Sequence, residues 1–138
     1  MRYLKIYENF NDIEDFKQEI KDRFSFIIHD FDLEEIPHDL EEDEETPGIF
    51  YDYNDFTLTN SGVKGHIDIL IWVGYNFIEK FKSMESSIMK FIGDLRKLGY
   101  NVNINDSIDR YILYLEERYE TNTGHGAFDP FEIIIHYK

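Results

Sequence analysis

The chain has no cysteine, so it can form neither a disulfide nor a thiolate metal site. Proline is sparse, with three residues, and Ala127 is the single alanine. Basic residues are scarce too: 14 Lys and Arg stand against 29 Asp and Glu, a formal net charge of −15. Phosphate recognition needs a basic surface, so this balance argues against direct nucleic-acid binding and against attraction to anionic membranes. No apolar run approaches the about 20 residues of a membrane span. The opening MRYLKIYENF is too polar for a signal peptide. HExxH, a glycine-rich phosphate loop, a nucleophile elbow and an EF-hand loop are also missing. These absences lead to the expectation of a soluble cytoplasmic protein with no cofactor.

What is present is a dense aromatic and aliphatic complement. Aromatics make up 17% of 138 residues, enough for one domain, 1–138, with a Phe/Tyr/Ile core. Ile, Asn, Lys, Tyr and Phe are abundant, and their codons are AT-rich, which fits a bacterial or viral genome.

The stretch Gly65–Gly99 organises the chain. Ile67, Ile69, Ile71 and Val73 alternate onto one face of a strand, and His66, Asp68, Leu70 and Trp72 take the other. A long helix is expected to follow. Asn76 and Glu79 form a capping box, Phe77 to Leu98 carry an apolar stripe, and Gly99 stops it. Gly93 inside it suggests a close helix–sheet contact. Upstream, Arg2–Tyr7 reads as a short strand. Asn11 then caps a helix over Asp12–Asp30, with a strand from Phe24 as the competing reading. Gly48–Asn60 reads as a strand bulged at Asn54–Asp55, turning through Ser61–Gly65 into the organising strand. Tyr100–Asn105 and Phe131–Tyr137 read as strands. Asp109–Glu120 fits either period, and its tyrosines and the preceding Asn-Asp-Ser turn favour a strand. Thr121–Pro130 is a polar loop. The order βαββαβββ predicts an α+β two-layer sandwich, a mostly antiparallel sheet with two helices on one face.

Charge is unevenly distributed. Glu34, Glu35, Asp39, Glu41, Glu42, Asp43, Glu44 and Glu45 contribute −8 within an expected exposed loop at about 33–47, whereas Gly74–Gly99 carries a local +2. Consecutive acids on an extended chain, spaced about 3.3 Å, approach the charge density of one DNA strand. Glu116, Glu117 and Glu120 are a second acidic group. The simpler reading of both groups is solvated surface.

Histidines supply the chemical candidates. His66, Asp68, Glu132 and His136 would approach a metal if their strands were neighbours, although ordinary polar surface is the simpler explanation. His29-Asp30-Phe31-Asp32 and His38-Asp39 offer acid/base pairs, but sequence neighbours on a helix seldom face each other. Gly124-His125-Gly126 is either a catalytic lid or a flexible turn. The non-core sheet face is expected to expose Leu70, Trp72, Ile112, Tyr114 and Ile134, a protein interface and most simply a homodimer.

The reading that joins these features is a non-catalytic acidic binding protein. It would imitate nucleic acid and inhibit a nuclease or another protein with a basic nucleic-acid-binding surface, as a small phage-type antagonist of host defence would. The alternatives are a small metal-dependent or acid/base enzyme using the His/Asp pairs, and an oligomer with a purely structural role.

Overall fold

Ile67, Ile69 and Ile71 do form the core face, at 0%, 0% and 2% exposure. They lie in the computed structural model, which describes residues 2–36, 48–59, 62–73, 77–120 and 129–137. The described elements are helices α1 (Arg2–Asp30), α2 (Ile78–Ser83), α3 (Glu85–Lys97) and α4 (Ile108–Glu120). The strands are β1 (Gly48–Thr59), β2 (Gly62–Trp72), β3 (Asn101–Ile104) and β4 (Phe131–His136). The four strands form an antiparallel sheet in the order β1-β2-β4-β3. This is the α+β sandwich expected from the pattern of elements.

One hydrophobic cluster joins the helices to one sheet face. Phe16, Ile20, Phe24 and Ile27 of α1 meet Ile88, Phe91, Ile92 and Leu95 of α3 and Tyr111, Ile112 and Leu115 of α4 over Ile67, Ile69, Phe131 and Ile133. Edge-on ring pairs pin the layers, with Phe24 on Tyr51 at 6.4 Å and on Phe91 at 5.2 Å, and Phe81 on Phe131 at 5.5 Å. Burying a side chain such as the fully enclosed Phe24 contributes about 1.5–3 kcal/mol.

Several elements differ from expectation. Residues 2–7 are helical, not a strand. A run that short fits both periods, and continuous helix through Asn11 settles it, so Asn11 is no cap. The stretch 109–120 is α4, not a strand. Ile108, Tyr111, Ile112 and Leu115 are buried at helical spacing, and the turn before them is a helix start. Ser107 Oγ accepts from the Arg110 N–H at 3.2 Å, and the Tyr111 N–H donates to the Ser107 carbonyl at 2.9 Å. The long helix is broken at Met84 into α2 and α3. Just before the break, the Ser83 hydroxyl donates back to the Lys80 carbonyl at 2.6 Å, a bond that bends helices. Gly93 makes no close contact; a Cβ there would meet open space. The bulge in β1 falls between Asn54 and Thr57, as its change of parity implies.

The Asn76 cap, the first residue of the expected Ser61–Gly65 turn, and the loops expected over 37–47 and 121–128 lie outside the described residues. Gly62 to Gly65, expected in that turn, are instead the start of β2, with Gly62 paired to Thr59. Among the described residues, no helix is long and apolar enough to cross a membrane.

Candidate functional site

The non-core sheet face carries a polar row. His66 of β2 pairs in register with His136 of β4, and their ring centroids are 5.5 Å apart. His66 Nδ1 lies 2.8 Å from Asp68 Oδ1, and the Asn54 amide donates to Asp68 Oδ2 at 3.2 Å. Asn103 Nδ2 stands 3.5 Å from His136 Nε2. The adjacency that the histidines need for joint chemistry is therefore present. Glu132 is not part of it. It pairs with Leu70, four positions from His136 and so about 13 Å along the strand. Among the described residues, no group of three His, Cys, Asp or Glu could hold a metal. What the row can do is orient one imidazole through a carboxylate, as a general base requires.

The apolar part of this face is smaller than expected. Trp72 and Ile134 are half-buried on it, and Leu70, expected to be exposed, is buried at 7% exposure, although outside the main cluster. Ile112 and Tyr114 belong to helix α4 instead. Ile112 is buried in the core, and the Tyr114 hydroxyl accepts from the Asp129 N–H at 3.0 Å. His29 and Asp30 are exposed neighbours at the end of α1. His38, Asp39 and His125 lie outside the described residues.

The acids are arranged more strongly. Along α1, Asp12, Asp15, Glu19, Asp22, Phe26 and Asp30 recur at steps of three and four, outside the buried stripe of Phe16, Ile20, Phe24 and Ile27. From Asp12 to Asp30 this ridge runs about 27 Å, from the helical rise. It places a carboxylate every 7 Å or so, about half the linear charge density of one DNA strand. Two lysines of α1 turn away from it: Lys17 and Lys21 lie 4.9 and 5.9 Å from the Tyr53 ring centre. Arg23 stays with the ridge, donating to Glu19 at 3.1 Å, and the Tyr100 hydroxyl donates to the other Glu19 oxygen at 3.0 Å. Burial, reinforced by that carboxylate, pushes the Tyr100 phenol up to about 12. Phe26 interrupts the acids at 72% exposure, a large apolar side chain presented to solvent.

The ridge continues into the α1–β1 connection. Leu33 N–H donates to the Ile28 carbonyl at 2.9 Å and Asp32 N–H to that of His29 at 3.3 Å, the paired bonds of a Schellman closure. Asp32 takes the left-handed position at φ 52°, where glycine is usual, and it sits where the helix dipole favours a cation. Glu34 and Glu35 follow, both exposed, with Glu35 3.5 Å from Lys21. Of the other acids singled out from sequence, Glu116 is held by Lys82 at 3.2 Å, and Glu117 is exposed. Glu41, Glu42, Asp43, Glu44, Glu45 and the Glu120 side chain lie outside the described residues. Sequence reading caught the charge run but missed the α1 ridge. Its signal was available: acids spaced three and four apart, off the apolar stripe.

No protein family model, no curated protein and no solved structure matches this chain.

Proposed function

We propose that this chain is a non-catalytic acidic binding protein that imitates nucleic acid and blocks a nuclease or another protein with a basic nucleic-acid-binding surface. The observation that carries the reading is the α1 ridge, Asp12, Asp15, Glu19, Asp22 and Asp30, extended by Asp32 and Glu34. Two features support reading it as more than solvated surface. Its acids persist at the helix C-terminus, where they oppose the dipole. Phe26 stands exposed among them, as the aromatic anchors of protein interfaces do.

The test is competition. Capture from a cell lysate, repeated at high salt, identifies a basic partner, and labelled nucleic acid is then displaced from it by this protein. Replacing Asp12, Asp15, Asp22 and Asp30 together with Asn weakens that displacement strongly, because exposed pairs worth about 0.2–1 kcal/mol each sum over the ridge. Replacing Glu41, Glu42, Asp43, Glu44 and Glu45 in the same way reports the share of that acidic run. A partner that binds both ligands at once, with neither affinity reduced, would sink the imitation.

A second reading rests on the polar row. Asp68 fixes the His66 ring at 2.8 Å with His136 beside it, an arrangement suited to acid/base chemistry. Turnover of a model nitrophenyl ester or phosphodiester, abolished by His66→Ala, would favour it.

A further inference from the structure

A cavity of about 280 Å³ opens at the end of the sheet where β1 begins and β2 ends. Its walls include Ile71, Val73, Phe77 and Met84, and Asp32 and Glu34 stand on its rim with Lys80. The rim is built by the backbone. The Ile36 N–H donates to the Ile49 carbonyl and the Ile49 N–H to that of Glu34, both at 2.8 Å. Gly48 permits this approach, since a Cβ there would lie 2.7 Å from Ile36 Cγ2 and 3.0 Å from the Glu34 oxygen. One polar anomaly lies at the cavity. Trp72, which also lines it, has a buried Nε1 with no acceptor. An unpaired buried donor in a folded protein calls for an explanation, and a group bound beside it is one.

We propose that this cavity is an anchor pocket for an apolar side chain flanked by Arg or Lys, supplied by the basic partner. The inference rests on the binding role proposed above and names what that partner must present. The volume suits one large aliphatic or aromatic side chain. The carboxylates of Asp32 and Glu34 meet the flanking cation. Lys80, held 5.5 Å from the Phe77 ring centre, faces a main-chain carbonyl of the segment.

Trp72 is the single tryptophan of the chain, so its emission reports occupancy directly. The probes are three capped tripeptides, Arg-Leu-Arg, Arg-Ser-Arg and Glu-Leu-Glu, titrated against the full chain and followed by Trp72 emission and by calorimetry. Arg-Leu-Arg is expected to bind and to shift the emission. The other two are expected to bind at least about tenfold more weakly, since each lacks either the apolar anchor or the cations. The variant Asp32→Asn/Glu34→Gln, with both positions exposed, is expected to lose about three- to tenfold toward Arg-Leu-Arg. Equal binding of Arg-Ser-Arg would overturn the pocket, as would equal binding of Glu-Leu-Glu or an absence of binding. The two proposals fail separately. A protein that displaces nucleic acid but ignores all three peptides lacks the pocket function alone. One that binds Arg-Leu-Arg but leaves nucleic acid in place lacks only the imitation.

Discussion

Replacing Asp32 with glycine is expected to make this protein more stable and a poorer binder. The perturbation acts on one residue at φ 52°, in the position after α1. The left-handed region costs an L-residue about 1–2 kcal/mol, less for Asp, and glycine removes that cost. Removing an anion from the end of a helix returns about 0.3–1 kcal/mol. The greater freedom of glycine in the unfolded chain takes back about 0.4–1 kcal/mol. The balance is about 1 kcal/mol in favour of Asp32→Gly, or about 3–5 °C in melting temperature for a domain of this size. Two companions separate the contributions. Asp32→Asn keeps a side chain that tolerates the left-handed region and removes only the charge, so it gains the dipole share. Asp32→Val also removes the charge but brings a β-branched side chain into the left-handed region, and should melt below Asp32→Gly by the equivalent of about 1 kcal/mol once the unfolded-state freedom of glycine is subtracted. Thermal melts followed by circular dichroism, on all three variants and the parent, are the assay. If the Gly and Val variants melt together, the left-handed closure of α1 is wrong and the strain argument with it.

Tyr100 should show itself in alkaline titration. Its folded pKa is raised to about 12 by burial and by Glu19, so its contribution to stability is fully present below the ordinary value of about 10 and is lost as pH rises toward 12. Burial also pushes Tyr51 and Tyr111 up, so phenolate absorbance of the native chain should lag that of the chain in denaturant, and Tyr100→Phe should shorten the lag; coincident curves would refute the buried environments. If the face carrying Trp72 and Ile134 joins two copies, the parent sediments as a dimer and Trp72→Glu as a folded monomer; a monomeric parent would remove that assembly.

The sequence made the sheet legible because β-branched residues alternate cleanly in β2 and β4, and Ile67, Ile69, Ile133 and Ile135 are fully buried as that alternation requires. It misled at α4 because Tyr111, Leu113 and Leu115 also satisfy period two. The helix won through Ile108 and Ile112, buried at helical spacing, and through Ser107, a residue whose side chain serves turns and helix caps alike. The end of α1 was legible at Asp30, but its closure was not, since the left-handed position carries Asp and not the glycine that normally signals it. The row His66, Asp68 and His136 could be named but not assembled from sequence. Its assembly depends on β4 inserting between β2 and β3, a long-range pairing that no local pattern encodes. The ridge was hidden for another reason. Attention to consecutive acids favours extended loops, whereas a helix gathers charges that are three and four apart.

Salt should move folding and binding in opposite directions, and the α1 ridge is where the two effects meet. At low ionic strength the carboxylates of Asp12, Asp15, Glu19 and Asp22, spaced about 4.5–6 Å along the axis, and Asp30, about 12 Å further on, repel one another, and a net charge of −15 repels itself across the whole molecule. At physiological ionic strength screening sets in over about 8 Å, longer than the spacing from Asp12 to Asp22 but shorter than the full length of the ridge. Added salt therefore removes mainly the long-range part of the repulsion, and the melting temperature should climb by a few degrees between about 0.02 and 0.5 M salt. The same screening weakens attraction to a basic partner, so displacement of nucleic acid should need at least about tenfold more protein at the higher salt when the comparison is corrected for the partner's own loss of nucleic-acid affinity. Neutralising Asp12, Asp15, Asp22 and Asp30 to Asn should flatten both slopes together. If the variant loses the stability slope but keeps the binding slope, the partner is held elsewhere and the ridge is a cost in stability without a role in recognition.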